Sequence, residues 1–514
     1  MWDRILRPGR NYFERAKVDE SGIYVDGAEY YTAFYHAALK ARRYIIISGW
    51  QFDSEVLLLR GAEERRARRD VRLLKFLDAL CRMNPELHIY ILAWDFSLIF
   101  MHEREWMQEI IFNWSTSERL HFRFDSMHAI GASQHQKYVV MDGALAFLGG
   151  MDICAGRWDS RSHLPHNPER INPDSRTYAP YHDIQAYFTG ELIGTLSAMF
   201  SERWQRCAGN VLSLPSALIG DYLPRAIGSP IHGKSAALSR TQGQTFVRVH
   251  EPVKEIRALF IDAIKAAKKL VYIENQYFSS HAIYRALTER MEDSSMPGLE
   301  IVLVLPKKPS ALVEEISVGL LQARILSVLR ETAKRMGHSI GVYYSTSFDE
   351  KGEEVPVYIH SKLMIIDDRF LTAGSANTTN RSMGLDTELN ISWEACSLRD
   401  LRLMRSIRRL RASLLSEFIG FDVNVDYKRL GRIKGLVEYL DQIAGSRLYK
   451  LQKHTLSPYL AESELLKTID EFLLDPEKAV IEENVFEIFS PDIVSVFSES
   501  IAYLKKYLLR KRAG

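Results

Sequence analysis

A short pattern that occurs twice limits what this chain can fold into more than any other feature. His135-Gln136-Lys137 is followed by Asp142, and His360-Ser361-Lys362 by Asp367, at identical internal offsets. The match continues: Gly149, Gly150 and Asp152 fall where Gly374, Ser375 and Asn377 fall in the second copy. It also extends upstream. Residues 34–52 read as a helix, an apolar strand Tyr44-Ile45-Ile46-Ile47 and a polar-aromatic end, and residues 260–278 repeat that order around Leu270-Val271-Tyr272-Ile273. A second strand follows at 87–92 or 299–304, before the histidine pattern leads into Tyr138-Val139-Val140-Met141 or Leu363-Met364-Ile365-Ile366. Short apolar runs rich in β-branched residues, alternating with helices, are the pattern of buried strands in α/β units. The expected fold is therefore α/β, with two homologous α/β/α sandwich halves packed as a pseudo-twofold pair. The halves are expected at residues 1–208 and 246–420. Residues 209–245, rich in Gly, Pro and Ser, read as a connector, and 421–514 as a mostly helical C-terminal appendage.

The residue types point to phosphoryl transfer. One neutral histidine can attack phosphorus and form a phosphohistidine, while the opposite, protonated histidine protonates the leaving oxygen. That acid then becomes the base that activates water or an alcohol. Lys137 and Lys362 neutralise phosphate charge, and Ser375 and Asn377 add donors. Alternate residues of a strand share a face, so each His and its Lys should point the same way. Asp142 and Asp367 belong to the repeated catalytic set, but each is expected past its strand in a turn-forming or salt-bridging role.

A nucleophilic histidine also needs an acceptor on its other ring nitrogen. Asp183 in Tyr181-His182-Asp183 and Glu388 in Asp386-Thr387-Glu388 are the candidates, each at the start of an apolar strand downstream of a motif. No cofactor is called for. No metal is expected either, because no His, Cys or carboxylate cluster stands at metal-ligand spacing, and a chelator should leave the chemical step largely intact.

Composition narrows the class. At 514 residues the chain is long enough for several domains, and its formal charge of +2 shows no basic excess, so no nucleic-acid partner is expected. Cys81, Cys154, Cys207 and Cys396 are scattered, as reduced thiols are. No signal peptide and no apolar run of membrane-spanning length is evident, so a cytoplasmic protein, peripheral on the inner face of a membrane, is expected. Residues 94–101 read as a core helix start in preference to an apolar lip for acyl chains. The basic and apolar residues 505–512 suit either an anionic lipid surface or a solvated helix end.

With these residues in view, a family resemblance emerges. The two histidine motifs resemble the paired HKD motifs of the phospholipase D superfamily. Residues 149–159, Gly-Gly-Met-Asp-Ile-Cys-Ala-Gly-Arg-Trp-Asp, are similar to a stretch of the eukaryotic-type phospholipases D, as are residues 273–278, Ile-Glu-Asn-Gln-Tyr-Phe. So is the stretch from Gly374-Ser375-Ala376-Asn377 through Asn380-Arg381-Ser382-Met383 to Asp386-Thr387-Glu388. The resemblance covers residues 24–420. It implies that His135 is the nucleophile, that His360 is the general acid and base, and that Lys137, Lys362 and Asn377 bind phosphate. Asp152 stands where the amide of Asn377 would be expected, so the half-sites should be unequal. With about twenty residues before the first half, no N-terminal lipid-binding module is expected, as in a compact bacterial member.

The function expected from this resemblance is a phospholipase D, cleaving glycerophospholipids at a membrane surface to phosphatidic acid and free head group. Water or an alcohol would be the acceptor; protein partners are not indicated. The alternative is a cardiolipin synthase-like phosphatidyltransferase. A nuclease of the superfamily fits the balanced charge poorly, and an inactive scaffold would require a broken motif.

Overall fold

Parallel strands need crossover connections, and the helical stretches between the apolar runs supply them. In the computed structural model, which describes residues 3–95, 108–129, 131–224, 228–244, 251–308, 312–421, 423–454 and 475–478, Tyr44–Gly49, His88–Trp94 and Leu120–Asp125 pair in parallel. Leu270–Glu274, Glu300–Val304 and Ser339–Phe348 do the same in the second half. The strand after each histidine motif, Tyr138–Met141 or Leu363–Ile366, joins antiparallel to the first of these. Its neighbours then continue in matching order, Leu145–Gly149 and Ile184–Phe188 in one sheet, Phe370–Gly374 and Glu388–Glu394 in the other.

Helices cover both faces of each sheet, which is why the strands are apolar throughout rather than alternating. Helix Leu73–Met83 shows how the sequence arranges this. Leu73, Leu74, Leu77, Leu80 and Cys81 recur at helical spacing and are all buried. Asp26–Ala38 and Leu73–Met83 pack on one face of the first sheet, and Ile193–Ala208 on the other. In the second half Glu255–Lys265, His281–Glu292 and Leu312–Met336 lie outside, and Leu401–Ile419 lies within. One core joins the halves: Ala146, Leu148 and Ala186 of the first sheet and Leu371, Ala373 and Leu389 of the second share it. The architecture is the expected pair of α/β/α halves.

The strands at the edges depart from the expected division. Glu14–Lys17 pairs with Ser235–Gln242, and that strand pairs with Glu388–Glu394, so an N-terminal segment and a piece of the expected connector both complete the second sheet. Ser229–Pro230 pairs instead with Ser21–Val25 in the first. The connector strand is hard to read because Ser235, Ala236, Ala237 and Ser239 are small, and packing against Glu388–Glu394 rather than hydropathy defines it. In the C-terminal part, Val423–Leu430 and Leu436–Ile443 are helices, but Leu451–Lys453 adds a strand beside Ser339–Phe348. Residues 96–101 of the expected apolar stretch, and 505–512, lie outside the described residues. Among the described residues no helix is long and apolar enough to cross a membrane, and the four cysteines are free.

Candidate active site

Each motif histidine lies just ahead of its strand, where the chain of one half pairs with the other. Gln134 bridges to Thr387 in parallel, and the His135 backbone N–H donates to the Thr387 carbonyl (3.0 Å). Tyr358–Ile359 pairs in parallel with Tyr181–His182, and the His360 N–H donates to the His182 carbonyl (2.8 Å). The two crossings are equivalent. In each, the residue after the bridge is a histidine on one strand and a carboxylate on the other.

The side chains follow the backbone. His135 Nδ1 lies 2.9 Å from Glu388 Oε2, and His360 Nδ1 lies 2.6 Å from Asp183 Oδ2. Each histidine is therefore held by the half to which it does not belong. Burial pushes Glu388 up to about 7, against the hydroxyls of Ser375 (2.5 Å) and Ser382 (2.7 Å), which donate to it. Burial also pushes Asp183 up to about 7, with Lys362 opposing. Gly150, the counterpart of Ser375, leaves the space that Asp183 occupies: a Cβ there would stand 2.5 Å from Asp183 Oδ1. Both imidazoles are held well below the ordinary histidine value, first by burial and then by the lysine charges.

The lysines differ as the Asp152/Asn377 contrast suggests. Lys137 Nζ is 3.2 Å from Asp152 Oδ2, whose other oxygen accepts from the Trp50 backbone N–H (2.8 Å). Lys362 has the amide oxygen Gln276 Oε1 (3.3 Å) in place of a carboxylate, while each lysine also donates to the carbonyl of its own motif's histidine. Burial brings Lys362 down to about 7, with Asp183 opposing. Ser375 and Asn377 follow strand Phe370–Gly374, and Asn377 Oδ1 is buried with no hydrogen-bond partner among the described residues.

Asp142 and Asp367 are not brought to the histidines. Both lie just past their strands with positive φ, 51° and 55°, where an Asp is tolerated. Asp142 accepts from the backbone N–H groups of Arg42, Arg43 and Tyr44 and from the Tyr222 hydroxyl. Asp367 accepts from those of Lys268, Lys269 and Leu270. Their placement among the catalytic residues is corrected accordingly: each carboxylate caps the entry to the neighbouring strand. Asp142→Ala leaves three backbone donors without their acceptor and should cost on the order of 3 kcal/mol. Chemical denaturation should show that loss, with turnover per folded molecule nearly unchanged.

Other residues at the site had no role assigned from sequence. Gln276 lies within the Ile-Glu-Asn-Gln segment, and Ser382 within Asn-Arg-Ser-Met. Arg157 donates to the Tyr181 hydroxyl (2.9 Å), and the Tyr181 ring centroid lies 5.4 Å from that of His360. No cluster at metal-ligand spacing stands in the sequence, but the fold brings one group of metal-type residues together. Asp26, His163, His182 and Glu417, all buried, bring one ligand atom each within 4.8 Å of one another. Asp159 holds the second ring nitrogen of His163 (2.9 Å), and Glu274 that of His182 (3.1 Å). Two imidazoles and two carboxylates are donors that suit a divalent cation. The four come from distant parts of the chain, so spacing could not reveal them. They stand behind His360, through His182 and Asp183, and are separate from the lysines.

Comparison with known proteins finds the following likenesses. The family model described as cardiolipin synthase, PLD-like domain, matches residues 260–401. Phospholipase D A of Dictyostelium discoideum is 25% identical over 70% of this chain and 32% of its own length. Phospholipase D alpha 1 of Ricinus communis is 22% identical over 80% of this chain and 65% of its own. This chain thus spans about a third to two thirds of the length of these relatives. The crystal structure of phosphatidylserine synthase from Haemophilus influenzae aligns with a TM-score of 0.49 at 12% identity, over 83% of this chain and 94% of that one. The matching domain and these relatives support placing the chain in the phospholipase D superfamily.

Proposed function

We propose that this protein is a phospholipase D that hydrolyses the distal phosphodiester bond of glycerophospholipids to phosphatidic acid and the free head group. The observation that carries the reading is the crossed pair: two imidazoles, each oriented by a carboxylate of the opposite half, with both lysines beside them. His135 Nε2 attacks phosphorus, a P–N bond forms, and the P–O bond to the head group breaks as His360 protonates the leaving oxygen. His360 then takes a proton from water, the oxygen attacks phosphorus, and the P–N bond breaks. An alcohol in place of water gives a phosphatidylalcohol.

The lysines act on the charge of the phosphate. Lys137, Lys362 and the Asn377 amide meet the non-bridging oxygens and stabilise the negative charge that builds on them. A bound phosphodiester offsets the same lysine charges that hold the imidazoles low, which favours the protonated His360 needed to expel the head group. His135 is assigned the attack from the superfamily resemblance.

The test is incubation with a defined phosphatidylcholine and a primary alcohol. A phosphatidylalcohol, phosphatidic acid and free choline are the expected products. Cardiolipin from phosphatidylglycerol, with no cleavage of phosphatidylcholine, would instead favour the phosphatidyltransferase reading suggested by the matching domain. Failure to cleave any phospholipid would overturn both.

A further inference from the structure

Residues 475–478 lie against the second half-site, and Asp475 is only 2% exposed. Its Oδ2 accepts from the backbone N–H of Asn380 (2.8 Å) and the hydroxyl of Ser279 (2.7 Å). Its Oδ1 accepts from the backbone N–H of Arg381 (2.9 Å). Asn380–Gly384 is a single helical turn, and the first N–H groups of a turn have no partner within it. The Thr379 side chain serves the Ser382 N–H, and Asp475 serves the two before it. Glu477 secures the same strap, pairing with Lys254 (2.8 Å) and Arg257 (3.3 Å). It passes so close to Gly384 that a Cβ there would stand 2.5 Å from the Glu477 carbonyl oxygen.

The turn that Asp475 fixes leads to His135 by two routes. Ser382 Oγ donates to Glu388 Oε1 (2.7 Å), and Glu388 holds His135 Nδ1. The Arg381 guanidinium donates to Asp386 (2.8 Å), whose Oδ1 accepts from the Ser133 N–H (2.8 Å), just ahead of His135. Ser382 Oγ also accepts from the Asn377 N–H (3.1 Å), so the same turn sets the residue assigned to phosphate. Glu388 meets the His135 ring and Ser133 stands two residues before it in the chain, and both trace back to a turn whose N–H groups are closed by a residue almost a hundred positions further along the chain.

We propose that Asp475 is a positioning residue for the reaction, fixing the 380–384 turn and through it the Glu388–His135 pair. This deepens the functional reading above and rests on it. Asp475 touches no reacting atom; its effect is on where His135 points. A displacement of about 1 Å in a reacting group costs on the order of 10²-fold in rate.

The test uses the full chain and bis(p-nitrophenyl) phosphate, a phosphodiester whose cleavage does not depend on which lipid is the substrate. Asp475→Ala should lower kcat by about 10²-fold, with a much smaller change in KM. Asp475→Asn, which keeps one acceptor oxygen, should recover part of the loss. Ser279→Ala, which leaves the turn's N–H groups bonded, should change little. In ¹⁵N-histidine spectra, assigned with His135→Gln, the His135 Nδ1–H signal should move while that of His360 stays.

Unchanged kcat in folded Asp475→Ala would overturn the proposal, as would a loss of kcat with the His135 signal unmoved or with both signals moved alike. Should Asp475→Ala fail to fold, Asp475→Asn gives both readouts with the same consequences. A wild-type chain that cleaves no phosphodiester would count against the functional reading. The spectra would still decide whether the strap governs His135.

Discussion

Replacing His135 with Ala should lower phosphodiester turnover by about 10⁴- to 10⁶-fold, the order of loss when a nucleophile in a coupled catalytic set is removed. His360→Ala should lower lipid hydrolysis as severely, for a different reason, and the leaving group separates the two. A head-group alkoxide needs a proton to depart, whereas p-nitrophenolate does not. With bis(p-nitrophenyl) phosphate, His360→Ala should therefore release one p-nitrophenolate per molecule and stop, leaving a phosphorylated His135. The second step stalls because no base remains to activate water. Stopped-flow absorbance reads the burst, and mass spectrometry of a digest under mildly basic conditions locates the P–N bond. His135→Ala should show no burst. A burst in His135→Ala with none in His360→Ala would exchange the two roles, and steady turnover in either variant would sink the two-histidine mechanism.

The fold was legible to the extent that hydropathy encodes it. The runs at residues 44–47, 270–273, 138–141 and 363–366 are strands because branched apolar side chains must be covered on both faces, and the repeat set their common order. Strand Ser235–Gln242 escaped notice because its small and polar residues are buried by the neighbouring strand rather than by their own hydrophobicity. At the site, the repeat named the histidines, lysines and candidate carboxylates but could not pair them. Asp183 follows the His135 motif and Glu388 the His360 motif, yet the parallel bridges at Gln134–Thr387 and Ile359–His182 exchange the partners. The Asp of each motif was legible as a turn residue. That it closes three successive N–H groups is a property of the adjacent strand's entry, which spacing does not show. The buried four-residue cluster at Asp26, His163, His182 and Glu417 was the least legible feature, since the whole fold assembles it.

The exchanged partners predict a second large effect that no uncrossed arrangement gives. Glu388→Gln keeps the volume and the Ser375 and Ser382 neighbours but removes the charge that favours the Nδ1–H form of His135. Neutralising a carboxylate that orients a catalytic histidine costs on the order of 10⁴-fold, and that loss should fall on formation of the P–N bond. Asp183→Asn should cost a similar factor through His360, falling on lipid cleavage and on breakdown of the intermediate. With bis(p-nitrophenyl) phosphate the two variants should differ in kind. Glu388→Gln should lack the burst, and Asp183→Asn should show a burst followed by a stalled second step. Residues acting as one unit are not additive, so Glu388→Gln should add almost nothing to His135→Ala, and Asp183→Asn almost nothing to His360→Ala. Coupling of Glu388 to His360 in such a cycle would mean the carboxylates serve their own halves, contrary to the geometry. If the crossed coupling holds, neither half can be a catalyst alone: each supplies an imidazole that the other must hold in place before it can attack or protonate anything.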